Sequence, residues 1–238
     1  MQSDKTKSLI TYLSQFVTRN KLDKIAALLP NRMRHVTVVL EHVSQPPNIS
    51  AIMRSMECFG VQDVHIIEGK KPFQMIESIA MGATQWLNLH RYHNTKECYD
   101  ILRKAGCTIA ALTPRADAQD ITDVSVDKKV ACVFGTELVG LTDYAIDNAD
   151  LCVKLPMFGF TESFNVSVSV ALTLQQLVMK VRRLSDAWQL SEDEQRDIKL
   201  SWLKKLVRGS DQLEERFLKE MSKKKRFYSL DRNFKNEL

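Results

Sequence analysis

The chain has 238 residues, 44% apolar and 26% charged, ordinary for a globular protein with one sizeable core and some length left for appendages. No apolar run is long enough to span a bilayer and the first residues lack a signal-peptide pattern, so a cytoplasmic protein without a membrane partner is expected, and five cysteines without CxxC spacing read as buried reduced thiols, with neither a disulfide frame nor a metal site. The net charge of +5 is uneven: residues 1–35 hold seven Lys and Arg against two Asp, residues 180–238 sixteen against eleven acidic residues, and residues 36–179 eleven against sixteen.

In chain order, Leu9, Ile10, Leu13, Phe16 and Val17, then Leu22, Ile25, Ala26 and Leu29, recur at three- and four-residue spacing and predict one or two amphipathic helices ending at Pro30. A strand follows over 36–40 and a helix over 49–59, closed by Gly60. A second strand is predicted at 64–67, a helix over 73–81, a third strand at 86–89 and a helix over 95–105 ending at Gly106. Apolar runs at 108–112, 130–134 and 151–155 supply three more strands, and a long helix spans 166–184. Beyond it, Ser191 with Glu194 starts a helix in capping-box style, striped by Trp202, Leu203, Leu206 and Val207. Lys223, Lys224, Lys225 and Arg226 then stand beside Phe227 and Tyr228, a basic and aromatic mixture that suits RNA. His90 and His93 read as surface or packing residues.

Strands that alternate with helices and are continuously apolar predict an α/β core, a parallel sheet with helices on both faces. Ligands of such sheets bind outside the carboxyl ends of the strands. Three polar clusters each follow a strand: Pro46 to Arg54, Gly135 to Gly140, and Pro156 to Asn165. Each alone has a plain reading, with Asn48, Ser163 and Asn165 as helix caps and Arg54 as a surface ion pair. Their shared position predicts one site. No GxGxxG, GxxxxGK[ST] or GxSxG pattern is present, which excludes the commonly marked dinucleotide, nucleotide-hydrolysis and serine-hydrolase sites.

Over residues 30–183 the sequence resembles the SPOUT-class RNA ribose 2′-O-methyltransferases, and within them the TrmH type. The resemblance is carried by Leu40, Glu41 and Val43, by Pro47, Asn48, Ser50, Ala51, Ile52 and Arg54, by Gly60-Val61, by Gly82 and Trp86, by Gly135, Glu137 and Gly140, and by Pro156, Met157 and Gly159 leading to Ser163, Asn165, Val166, Ser167 and Val168. It implies a SPOUT sheet with a C-terminal deep trefoil knot, S-adenosylmethionine as cofactor, a homodimer, and methylation of a guanosine ribose in the tRNA D-loop. The same chemistry on ribosomal RNA, and a non-catalytic RNA-binding protein of this fold, stand as alternatives.

Carried over position by position, Arg54, Asn48, Ser163, Asn165 and Glu137 are the catalytic residues implied, and Leu112, Gly135, Leu155, Met157 and Phe164 would hold the cofactor. Phe164 stands where the family often has Leu. The organisation expected is a basic helical extension over 1–34, the methyltransferase domain over 35–184, and a second basic helical extension over 185–238, with the basic ends meeting tRNA.

Overall fold

The computed structural model describes the backbone of residues 2–69, 73–184, 186 and 188–234, and the side chains of residues 4–69, 73–184, 186 and 188–222. In chain order the elements are α1 (Gln2–Ser14), α2 (Arg19–Leu28), β1 (Val36–Glu41), α3 (Pro46–Phe59), β2 (Asp63–Ile67), α4 (Glu77–Ala80), β3 (Asn88–Tyr92), α5 (Thr95–Lys104), β4 (Cys107–Leu112), β5 (Gln119–Asp120), β6 (Lys129–Phe134), α6 (Asp143–Asp147), β7 (Leu151–Lys154), α7 (Val166–Leu184), α8 (Glu192–Leu206) and α9 (Ser210–Phe234). They divide between two compact units, one of residues 32–189 and the other drawn from residues up to 31 and from 190 onward.

The larger unit is built on a seven-stranded sheet in the order β3-β2-β1-β6-β4-β7-β5, with every pairing parallel. Alternation along the strands assigns residues to two cores. Val36, Val38 and Leu40 of β1 and Val130, Cys132 and Phe134 of β6 pack with Ile49, Ile52, Met53 and Met56 of α3 and with Val170, Leu174, Leu177 and Val178 of α7. Val39, Ala131 and Val133 face the other way, against Cys98, Tyr99 and Leu102 of α5 and Ala145 of α6. Burial of both faces explains why these strands are apolar at consecutive positions. In the smaller unit Leu9, Leu13, Ile25, Ile198, Trp202 and Leu203 are buried, Tyr12 and Phe217 bring their rings to 5.2 Å, and Ser191 with Glu194 forms the capping box that opens α8. The basic and aromatic run at 223–228 lies outside the residues whose side chains are described.

Several local expectations change. The helix expected over 73–81 is reduced to Glu77–Ala80. Phe73 and Met75 turn instead to the core, the Ile76 N–H is taken by Ser50 Oγ at 2.8 Å, and Met81 and Gly82, both at positive φ, stop the helix. The third strand starts at Asn88, because Ala83–Trp86 winds into a 3-10 turn whose last carbonyl accepts from Gln62 Nε2. α3 begins at Pro46, so its cap is Gln45 and Asn48 sits inside the first turn. Cys58 is exposed, whereas Cys98 and Cys132 are buried, and burial pushes both buried thiols up to about 12. Among the described residues no helix is long and apolar enough to cross a membrane.

Candidate active site

The carboxyl ends of β4, β6 and β7 and the first turn of α7 surround a cavity of about 530 Å³, within the range usual for small-molecule sites. All five residues assigned to cofactor binding line it: Leu112, Gly135, Leu155, Met157 and Phe164. Glu137, Ser163 and Asn165 line it as well. Thr113, Glu162 and Ser169 were not singled out from sequence, and they too are on its wall. Thr113 and Ser169 could have been found from their places, one residue past β4 and one turn into α7.

The loop after β6 is folded tightly on itself. Thr136 and Gly140 exchange both backbone hydrogen bonds at 3.0 Å, and Val139 N–H donates to Thr136 Oγ1 at 3.2 Å. A side chain at Gly135 would put its Cβ 2.1 Å from the carbonyl carbon and oxygen of Gly140. The narrow turn therefore requires glycine there, and bare backbone forms that part of the cavity wall.

Side chains tie the three clusters together. Asn48 Nδ2 donates a short hydrogen bond to Glu137 Oε1, and Asn165 Nδ2 donates to Asn48 Oδ1 at 3.1 Å. The other end of the Asn165 amide accepts from Ser167 N–H at 2.8 Å and Ser167 Oγ at 2.6 Å, capping α7. These bonds fix both amide orientations, since Asn48 must turn its NH₂ to the carboxylate. Ser163 makes no hydrogen bond among the described residues and is exposed on the wall. Arg54 is exposed on α3, six residues beyond Asn48, with no ion-pair partner among the described residues, and it does not line the cavity. The arrangement brings together nine of the ten residues named from sequence, Asn48 among them through its bonds to the wall, and leaves Arg54 to the side.

The cavity suits an amphipathic ligand: Leu112, Leu155, Met157 and Phe164 offer an apolar wall, while the backbone of 135–140 and the polar groups of Glu137, Ser163 and Asn165 offer hydrogen bonds. Residues 35–175 match the model of the SpoU rRNA Methylase family. A tRNA (guanosine(18)-2'-O)-methyltransferase of Borreliella burgdorferi is 36% identical over 200 residues, covering 84% of this chain and 92% of the relative. Among solved structures, the A. aeolicus TrmH/SpoU tRNA modifying enzyme superposes with a TM-score of 0.73 at 24% identity, over 79% of this chain and 97% of that one. The SpoU methyltransferase AviRb from Streptomyces viridochromogenes, in complex with the cofactor AdoMet, superposes with a TM-score of 0.57 at 20% identity, over 65% of this chain and 64% of that one. The last two likenesses concern the fold.

Proposed function

The chain belongs to the SpoU rRNA methylase family, and from that premise we propose that it methylates the ribose 2′-hydroxyl of a guanosine in the tRNA D-loop with S-adenosylmethionine as donor. The observation that carries this reading is the hydrogen-bonded line Glu137, Asn48, Asn165, which joins the cavity wall to the first turn of the helix that bears Arg54. Leu112, Leu155, Met157 and Phe164 would hold the cofactor's apolar parts and the backbone at Gly135 its polar ones. When bound, S-adenosylmethionine supplies an electrophilic methyl group on a sulfonium sulfur.

The protein's own part is to place the ribose hydroxyl in line and to steady the neighbouring phosphate. Arg54 has the fork of donors for that phosphate. Arg54 acts there by grip and charge. Asn48 holds the Glu137 carboxylate in one orientation, and Ser163 offers a free hydroxyl to the ribose.

The knot belongs to the same reading. Thr113 N–H donates to Val153 O at 2.9 Å, and β5 pairs with β7 on the side away from β4. Residues 113–118 thus join strands on the two sides of β7 near its carboxyl end, and passage of the chain from Leu155 beneath that connection on its way to α7 would make the knot. A homodimer is supported by Val168, Leu172 and Met179, an exposed apolar stripe on α7, and by the exposed Phe158 and Phe160. A monomer by light scattering would remove the dimer. The charge excess of the two chain ends supports tRNA contact by the smaller unit, and a tRNA substrate places the work in the cytoplasm.

The test is incubation with methyl-labelled S-adenosylmethionine and separate pools of unmodified tRNA and ribosomal RNA, followed by nucleoside mass spectrometry. 2′-O-methylguanosine in tRNA alone is expected. Label in ribosomal RNA alone would move the substrate, and no label in either would overturn the catalytic reading.

A further inference from the structure

Glu41 ends β1 and is 1% exposed, yet the chemistry above makes no use of it. Its carboxylate is fully engaged. Oε2 accepts from Thr142 N–H at 2.9 Å, and Oε1 accepts from the hydroxyls of Thr142, at 2.9 Å, and Thr95. Thr142 is the residue at which the cavity loop ends: it follows Leu141, and its own hydroxyl caps α6 through Ala145 N–H at 3.1 Å. The loop's entry is fixed by β6, whose Phe134 pairs with Leu40 next to Glu41. Its exit is held by this buried carboxylate.

Asn48 grips the same loop at Glu137, only seven residues along the chain from Glu41. Between them His42 has φ 58°, a left-handed backbone that a side chain adopts at some cost. It turns the chain away from β1 while its N–H bonds to Ile67 O at 3.0 Å. One short stretch, residues 41–48, thereby holds both sides of the loop that walls the cavity.

We infer that Glu41 is a positioning residue, which sets the cofactor affinity of the cavity by anchoring the exit of the 135–141 loop at Thr142. This rests on the reading of the cavity as the S-adenosylmethionine site. A carboxylate suits the task because a backbone N–H and two hydroxyls can all donate to it at once. Glutamine can serve almost as well: its oxygen replaces Oε2 toward the N–H, and its NH₂ faces hydroxyls, which can turn to accept. Alanine takes away the acceptor of the half-buried Thr142 N–H and of the Thr142 hydroxyl together, and the loop's exit is released.

The test measures S-adenosylmethionine binding by calorimetry, with stoichiometry and Tm, on the full chain and on E41A, E41Q, Thr142→Val and Thr95→Val. E41A should bind about tenfold more weakly at unchanged stoichiometry, the equivalent of about 1.4 kcal/mol, and E41Q should recover most of that. Thr142→Val should weaken binding in the same direction and serves if E41A fails to fold. Thr95→Val loses a hydrogen bond to the same carboxylate but touches α5 and not the loop, so its Tm should fall while its Kd stays. Hydrogen exchange at the Thr136 and Gly140 amides of the cofactor-free protein should speed up in E41A and not in Thr95→Val. An unchanged Kd in E41A, or an equal loss in Thr95→Val, overturns the assignment against a wild type that binds. A wild type that does not bind overturns the cavity reading itself.

Discussion

Asn165 donates to Asn48 at 3.1 Å across 117 residues of sequence, and Asn48 passes its own NH₂ to Glu137. The relay makes one unit of three residues that sequence reading could only name separately. Asn48→Ala should lower kcat/KM about tenfold, the modest end for a hydrogen bond to a charged group because Glu137 is exposed. Asn48→Asp should do worse, since it removes the donor and sets a second carboxylate against Glu137. In a double-mutant cycle, Asn48→Ala with Asn165→Ala should cost less than the two single losses combined. Strict additivity would mean that the relay is not one unit.

Arg54 lies apart from the cavity wall and without an ion-pair partner among the described residues, so its loss should leave the cofactor pocket whole. Arg54→Ala is expected to reduce methyl transfer by about a thousandfold, the upper range for deleting one charge-stabilising donor, with the calorimetric Kd for S-adenosylmethionine unchanged. Arg54→Lys should restore only part, because an ammonium cannot grip a phosphate with two parallel bonds. Full activity in Arg54→Ala would remove this residue from the site.

What was legible in the sequence follows from how far apart the determining contacts lie. β1, β2, β4, β6 and β7 declare themselves by apolar runs, since both sheet faces are covered. β5 is two polar residues that become a strand only by lying against Val153 and Lys154, and α6 is five residues set by the Thr142 cap. Neither has a period to detect. The helix expected over 73–81 failed because Ser50, a residue of another element, claims the Ile76 N–H. At the site the individual residues were readable because each follows a strand end. Their bonds were not: Asn48 to Glu137 and Glu41 to Thr142 span 89 and 101 residues, and nothing local announces them.

Two glycines of one loop should respond differently to alanine. Gly140 has φ +73° with nothing within 4 Å of an added Cβ, so Gly140→Ala should cost about 1–2 kcal/mol of left-handed strain and little else. Gly135→Ala drives a Cβ into the Gly140 carbonyl and the Leu141 nitrogen, at 2.1 and 2.3 Å, where no flexible side chain can yield. The backbone of 135–141 must then shift, at a cost of about 3 kcal/mol, the upper end for overpacking, and S-adenosylmethionine binding should be lost with it. Thermal denaturation and calorimetry on the two variants separate the cases. Equal cofactor affinity in both would contradict the tight turn as part of the cavity wall.

Acid should weaken the larger unit through His65. Burial, helped by the neighbouring His90 and opposed by Asp63, holds its imidazole down to about 4. The ring stacks on His90 at 4.8 Å and on Tyr92 at 5.6 Å, and Nδ1 meets the Tyr92 hydroxyl at 2.8 Å. Because the folded pKa lies below the unfolded value of about 6.5, the unfolded chain binds the extra proton between those limits and stability falls as pH falls. The contribution is complete above about pH 6.5 and is lost progressively toward pH 4, by about 3 kcal/mol at 1.36 kcal/mol per unit. Asp63 acts lower: burial opposes its charge, but the hydrogen bond from His90, the charge of Arg34 and the Asn88 amide still hold it below the usual carboxylate range. Its share therefore disappears only below the ordinary aspartate value. Chemical denaturation across pH 4 to 7.5 should show the slope, and His65→Asn, which keeps a partner for the Tyr92 hydroxyl, should flatten it. A variant as acid-sensitive as the wild type would place the sensitivity elsewhere.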